Sequence, residues 1–492
     1  MEKKYKVRIM RSEIRNFKNV NYGEIPYMNY GSINSRAEID KTDIVGLYGQ
    51  NGSGKTALVE SLDILKCVLG GSPIPYDTYA GVLSLENPAS ITTDFFIEKG
   101  TARYKVNYII YIRRNDANKK LEIYKEKLTY WTRGSSWKSE RDLEFENTEY
   151  NTSSDILIPK NLSIKSDHIS NLKSIPFLSS MQNLALICAQ QNTSVFFNFP
   201  VLNTLGTLKA DDEVTAFRDI ISGLMQFGFV DLNVIKVNQL GAINHNQIIP
   251  INVHRETESS ISQECIQLNI AGPTEIDENS FPQVQSAISA INTALRSIVS
   301  NLQIELEKKT EVEKPDGSKA ILVEVYSNRC GKRFLIRYES EGIKRIISIL
   351  NYLIAVFNNP GVCLVVDEMD SGIFEYLLGE LLGLMNQEMK GQLIFTSHNL
   401  RVLEKLDSKN IVCTTTNPEN RYIRLTGIEK NNNKRDFYIR AITVGGQKEV
   451  LYDEDDLIAM GYAFRKAGKN DHNRINLSFS SDIEQKLQNY NN

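Results

Sequence analysis

The residues with the greatest chemical reach in this chain are Gly49-Gln50-Asn51-Gly52-Ser53-Gly54-Lys55-Thr56, a G-x-x-x-x-G-K-[ST] string. Glycines at these spacings let consecutive backbone N–H groups curl around a run of phosphates, where a Cβ would obstruct them. Lys55 then reaches the outer phosphates, the Thr56 hydroxyl is placed to ligate Mg2+, and Ala57 follows in the cradle. Farther along, an apolar run over 362–366 ends in Asp367-Glu368. An aspartate at the end of a buried strand beside such a loop holds Mg2+ through water. The glutamate after it points the other way, which suits it to orient or deprotonate an attacking water. Thr396-Ser397-His398 closes the next apolar run and would bring an imidazole to the outermost phosphate. Ser340-Glu341-Gly342 opens a helix, with Ser340 as N-cap and Gly342 in the first turn. Capping alone accounts for Ser340. The same helix N-terminus also suits the outermost phosphate of a nucleotide held by another subunit.

These groups need elements to hold them. Ile44, Val45, Leu47 and Tyr48 form a short strand into the glycine loop, and Leu58, Leu62, Leu65 and Val68 give the helix that leaves it. Gly70-Gly71-Ser72-Pro73 stops that helix. A helix that is apolar on most faces covers 343–357 and ends at Asn358-Asn359-Pro360. Phe374, Leu377, Leu378, Leu381, Leu382 and Met385 recur at i, i+3, i+4 and i+7, which predicts a helix with those residues inward. The 30 residues from Glu368 to His398 hold one helix and one strand, so the two strand ends can be neighbours. Upstream, 5–20 alternate in part, with Val7, Ile9 and Ile14 inward, and a hairpin-like return spans 22–30. Period-2 segments at 91–99, 102–114 and 120–131 predict an antiparallel meander. Between 144 and 279 Asn/Ser-rich connections alternate with modest helical patterns such as 214–227, and no heptads persist, which argues against long coiled-coil arms. A further helix is predicted over 284–302, and Lys314-Pro315-Asp316-Gly317-Ser318 predicts a tight reversal between strands. From about 417 the chain reads as polar and strand-like, with a short helix near 457–466. The expected division is an N-terminal lobe (1–143), a largely helical insertion (144–279), a C-terminal lobe (280–415) and an extension (416–492).

Composition narrows the class. The chain is 492 residues, 41% hydrophobic and 24% charged, with formal net charge −3, so there is no global electrostatic case for nucleic acid. Cys67, Cys188, Cys265, Cys330, Cys363 and Cys413 are scattered without a C-x-x-C pair, as core thiols in a reducing compartment would be. The first residues are charged throughout and the longest apolar run is too short to cross a bilayer, so a cytoplasmic protein without a membrane partner is expected. Asn433-Lys434-Arg435-Asp436 matches the guanine-reading N-K-x-D string, but it lies in a polar run with no buried strand before it and is rejected.

The order of these features resembles the ABC-type ATPase heads of the RecF/SMC/Rad50 group. In sequence, Arg15-Asn16-Phe17-Lys18, the glycine loop, the meander, a long insertion, the Ser-x-Gly helix, Asp367-Glu368 and His398 follow one another. Within that group the chain is most similar to the OLD-like ATPases of bacterial anti-phage systems, of which the PARIS ATPase subunit is one type. The spacing supports this: Asp367 lies 311 positions beyond Thr56, far more than in RecA-like, AAA+ or small GTPase folds. The resemblance implies an α/β P-loop NTPase with a mixed sheet, an antiparallel meander, and ATP with Mg2+ as ligands. It implies that Lys55, Thr56, Asp367, Glu368 and His398 act in cis, that Ser340 and Gly342 act on a second copy, and that Asp370 and Ser371 form the D-loop. A homo-oligomer that hydrolyses ATP and controls a separate effector, a nuclease or toxin, is the expected function. A RecF-like DNA clamp, with a basic surface from Arg113, Arg114, Lys119 and Lys120, is the alternative; a membrane-transporter ATPase fits neither the spacing nor the signature. The departures are Glu339-Ser340-Glu341-Gly342-Ile343 for Leu-Ser-Gly-Gly-Gln, Ile373-Phe374-Glu375 for Leu-His-Pro, and no glutamine over 66–120 to serve as a Q-loop. The acidic run at 453–456 has too little chain around it for a Toprim nuclease, which is expected to be absent.

Overall fold

A six-stranded sheet carries the chemistry-bearing strand ends. The computed structural model describes residues 5–27, 43–133, 141–147, 162–165, 175–208, 211–236, 248–256, 261–314, 317–427, 433–452 and 457–469. The strand order is Tyr422–Ile423, Ile411–Thr414, Asp43–Tyr48, Gln392–Thr396, Cys363–Val366, Leu232–Ile235. Every pair is parallel except that of Tyr422–Ile423 with its neighbour. The parallel strands are buried almost end to end, as a sheet covered on both faces requires, and hence read as continuous apolar runs. Val366 pairs with Phe395 and Phe395 with Gly46, so three strands finish at one level. Asp367, Ser397 and Gly49 therefore emerge side by side at the carboxyl edge, where open α/β sheets bind ligands.

Leu232–Ile235 corrects the expected division. The stretch 144–279 is not simply a helical insertion. Helices Ile175–Gln191, Phe199–Thr207 and Asp212–Gln226 are there, yet the chain then returns to add a strand beside Cys363–Val366. Four residues are too few to display a period, and the strand follows directly on a helical turn, Phe227–Asp231, so no local signal marks it.

The meander forms as expected and belongs to a seven-stranded sheet, ordered Val20–Pro26, Lys6–Phe17, Ala89–Lys99, Ala102–Asn115, Lys120–Thr132, Arg141–Asn147, Leu162–Lys165. Its inner face, with Val7, Ile9 and Ile14 all buried, packs with the loop-following helix Lys55–Leu69 and with Asp212–Gln226 in one apolar core. Asp219 pins the latter helix to the sheet, accepting from Lys99 Nζ at 2.6 Å and the Tyr104 hydroxyl at 3.2 Å.

A second core joins helix Phe281–Ile298, strands Leu302–Glu313 and Lys319–Arg329, and helix Glu341–Asn358 to the other face of the parallel sheet. The helix expected over 284–302 stops at Ile298. Asn301 turns through φ 62° and Leu302 opens the next strand, so its burial belongs to sheet pairing. The reversal at 314–318 is closed by Lys314 N–H on Ser318 O and Gly317 N–H on Lys314 O, with 315–316 outside the described residues. Phe374, expected inward, is instead the N-cap of helix Glu375–Glu388 and 73% exposed, while Leu378, Leu382 and Met385 are buried. Cys330 likewise is exposed and not a core thiol. The region after 417 contains an unanticipated helix, Lys434–Thr443, capped by the Asn433 side chain. The rejected N-K-x-D string is thus a helix start. Residues 1–451 form one compact unit and 452–492 another, whose described element is helix Leu457–Lys469; the acidic run at 453–456 lies outside the described residues. No described helix is long and apolar enough to cross a membrane.

Candidate functional site

The glycine loop begins where strand Asp43–Tyr48 ends. Gly49 has φ 151°, and a Cβ there would sit 1.7 Å from Thr414 Oγ1, so only glycine fits. Gly54, at φ 95°, is the N-cap of helix Lys55–Leu69, whose free N–H groups and dipole face the loop. Lys55 Nζ donates to the carbonyls of Gly49 and Gln50, each at 2.8 Å. Burial lowers its pKa, opposed by the carboxylates of Asp367, Glu368 and Asp370. Ser53 Oγ meets Gln50 O at 2.6 Å and Thr414 Oγ1 from the neighbouring strand.

Distant segments buttress the loop. The Asn19 amide donates to Gly52 O, Arg421 donates to the carbonyls of Asn19 and Thr415, and the Tyr422 hydroxyl donates to Gly54 O at 2.8 Å. Sequence reasoning missed Asn19, Thr414, Arg421 and Tyr422. Their partners around the loop lie 33 to 402 positions away, Thr415 beside Arg421 apart, and only the resemblance around 15–18 hinted at the first.

Opposite the loop, Thr396 ties the acidic pair to the next strand. Its hydroxyl donates to Asp367 Oδ1 at 2.6 Å and accepts from Glu368 N–H at 2.8 Å, while its carbonyl accepts from Met369 N–H. Asp367 is 1% exposed, and its Oδ2 has no hydrogen-bond partner. Glu368 adopts φ 47°, a left-handed backbone that costs a non-glycine residue of order 1–3 kcal/mol and is found where structure over-determines a site. His398 N–H donates to Asp370 Oδ2 at 3.1 Å. Desolvation and then Lys55 lower the His398 pKa, which favours the neutral imidazole.

A cavity of about 340 Å³ gathers these groups: Lys55, Thr56, Asp367, Glu368 and His398 line it, together with Lys18 from the turn after the first strand. Asn51, Gly52, Gly54 and Ala57 also face it, whereas Gly49, Gln50 and Ser53 stand behind as the loop's frame. Ser340 and Gly342 do not line it. Ser340 caps helix Glu341–Asn358, accepting from Ile343 N–H, and a Cβ on Gly342 would lie 2.6 Å from Gly372 O. Gly342 thus has a packing reason of its own. The donor set suits Mg2+. Asp367 offers a buried oxygen with no protein partner and Thr56 a hydroxyl in the same cavity, which leaves most positions to phosphate and water. Among the described residues no group of three or more His, Cys, Asp or Glu side chains converges to hold a metal unaided.

This sheet edge falls inside a recognised family. Residues 44–404 match the family described as "AAA domain, putative AbiEii toxin, Type IV TA system". The chain belongs to that family. The match runs from the strand before the glycine loop to just past His398, so the α/β P-loop core described above is the AAA domain of this chain. No curated protein matches it. Among solved structures, an SMC head bound to the C-terminal winged-helix domain of ScpA is similar at 12% identity, covering 85% of this chain and 97% of that one, with a TM-score of 0.38. The SMC head domain from Thermotoga maritima gives 11% identity, 85% and 100% coverage, and a TM-score of 0.33. The recombination mediator RecF with ATP gives 12%, 80% and 94%, and 0.29.

Proposed function

We propose that this AAA-domain chain binds and hydrolyses ATP and that two or more copies assemble around the nucleotide. The observation that carries this reading is the convergence of Lys55, Thr56, Asp367, Glu368 and His398 on one cavity from which Ser340 and Gly342 are absent. The loop amides and Lys55 bind the phosphates, Glu368 orients the attacking water, and His398 contacts the outermost phosphate. Mg2+, held by Thr56 and Asp367, supplies charge neutralisation on the phosphate chain. Ser340 and Gly342, at an outward helix N-terminus, serve the nucleotide of a second copy.

Beyond hydrolysis, the head controls a separate toxic or nucleolytic effector in bacterial anti-phage defence, in the cytoplasm. The family's description as a toxin of a type IV system and the OLD-like order of motifs support this. The DNA-clamp alternative is less well supported. Two of its basic residues are already neutralised within the meander, Arg113 by Glu122 at 3.0 Å and Arg114 by Asp116 at 2.6 Å, and Lys120 donates to Gln190 O.

The test is Mg2+-dependent ATP turnover with Glu368→Gln beside the wild type. The variant is expected to keep ATP affinity, lose roughly 10²–10⁴-fold in kcat, and accumulate as a larger assembly in light scattering with ATP. Wild-type turnover in Glu368→Gln would refute the role given to Glu368. Salt-sensitive, ATP-stimulated binding of duplex DNA would favour the clamp instead.

A further inference from the structure

Arg345 lies in the first turns of helix Glu341–Asn358 and is 1% exposed, yet Nε, Nη1 and Nη2 all lack a hydrogen-bond partner. Its neighbour Lys344, equally buried, meets Glu341 at 3.1 Å and Arg337 O at 3.3 Å. A buried, unpaired cation is among the costliest groups a fold can carry. Burial pushes the guanidinium down to about 10, opposed only by Asp370 and then Glu368.

The turn after Glu368 holds the complementary defect. Asp370 Oδ1 is buried without a partner, while Oδ2 accepts from His398 N–H. No ion pair within 4.0 Å joins Arg345 to Asp370 among the described residues. Their two elements meet at a glycine contact: a Cβ on Gly342 would strike Gly372 O at 2.6 Å, and one on Gly372 would lie 4.0 Å from Arg345 Cβ and Cγ. The absence of side chains at 342 and 372 lets the helix start and the turn approach this closely, which sets Arg345 beside the turn that carries Asp370.

We propose that Arg345 and Asp370 are the two halves of an ion pair that stands open here and closes when nucleotide is bound, which couples the Ser340 helix to the turn carrying Glu368. Arg345 is then a positioning residue, acting through Asp370 on Glu368 and His398. The coupling rests on the nucleotide reading above but does not require hydrolysis.

A double-mutant cycle on the full chain tests it, using Arg345→Met, Asp370→Asn and both together, with AMP-PNP and Mg2+ as probe. Without nucleotide, Arg345→Met is expected to leave the melting temperature unchanged or higher, since a desolvated charge is removed. With nucleotide, each single variant is expected to weaken AMP-PNP binding roughly tenfold and the double variant no further. Arg345→Lys, which retains the charge, should recover part of the affinity and completes the cycle if Arg345→Met does not fold. Additive effects with nucleotide, or a drop in melting temperature without it and unchanged AMP-PNP affinity, would overturn the proposal. A wild type that AMP-PNP fails to stabilise would overturn the nucleotide reading as well, whereas binding with coupling but no ATP turnover would refute hydrolysis alone.

Discussion

Replacing Thr414 by Val isolates the support of the glycine loop from its phosphate contacts. Thr414 is fully buried, and its hydroxyl lies 3.2 Å from Tyr48 O and in contact with Ser53 Oγ, which also meets Gln50 O at 2.6 Å. Two hydroxyl protons thus serve three oxygen–oxygen contacts, so at most two are hydrogen bonds at once. Removing the Thr414 hydroxyl leaves Ser53 free to donate to Gln50 O, and one net bond is lost. Valine keeps the shape, so no cavity term is added. The expected cost is about 1–2 kcal/mol. If all of it falls on the loop's binding-competent shape, ATP affinity drops about 5–30-fold. Calorimetric titration with ATP and Mg2+ reads the affinity, and a urea midpoint reads the part that falls on the whole head. Thr414→Ser should restore the affinity, while the loss of its buried methyl keeps the midpoint below that of the wild type. Wild-type affinity together with a wild-type midpoint in Thr414→Val would refute the claim that this strand frames the loop.

Gly49→Ala places a Cβ 1.7 Å from Thr414 Oγ1 on a backbone at φ 151°, so AMP-PNP binding should vanish; retained binding in a folded variant would be contrary evidence. Ser340→Ala removes a cap whose bond to Ile343 N–H is long at 3.4 Å, so the stability loss should be only about 0.5 kcal/mol. A much larger loss of turnover at high protein concentration is expected from a residue serving a second copy, and unchanged turnover would argue against that role. Asp43, buried beside Arg8 at 3.6 Å, is pushed up to about 6 by burial, with Arg8 opposing. The folded chain therefore binds this proton more tightly than the unfolded one. That contribution to stability is complete below about pH 4, falls as pH rises to about 6, and is flat above. Asp43→Asn should remove this slope from denaturation midpoints measured between pH 4.5 and 6.5.

The parts legible in the sequence share one property: their signal is local. Gly49 to Thr56 is contiguous, the meander strands alternate over many residues, Asp367 follows directly on an apolar run, and His398 stands three residues beyond another. The parts that escaped depend on partners far along the chain. Leu232–Ile235 becomes a core strand only because Cys363–Val366 lies beside it, and four residues carry no period of their own. Helix Lys434–Thr443 buries little more than Tyr438 and Ala441, too narrow a stripe to read. Phe374 matched the helical spacing but falls on the cap, where an apolar side chain faces solvent. Arg345 belongs to a helix that reads as apolar on most faces, and nothing local singles it out as a buried cation.

The clamp on the glycine loop has a consequence for how the head is made. Gly52 is held by Asn19, and Asn19 in turn by Arg421, 402 positions later. Tyr422 reaches Gly54 across 368 positions. A ribosome therefore releases the glycine loop, and the helix behind it, long before the residues that fix its shape have been synthesised. Contacts of such long range form slowly and late. The nascent chain thus carries an unfinished nucleotide site through most of its translation, and the site is completed only as the last strands of the parallel sheet join. Partial products of this chain, lacking those strands, are left without the clamp.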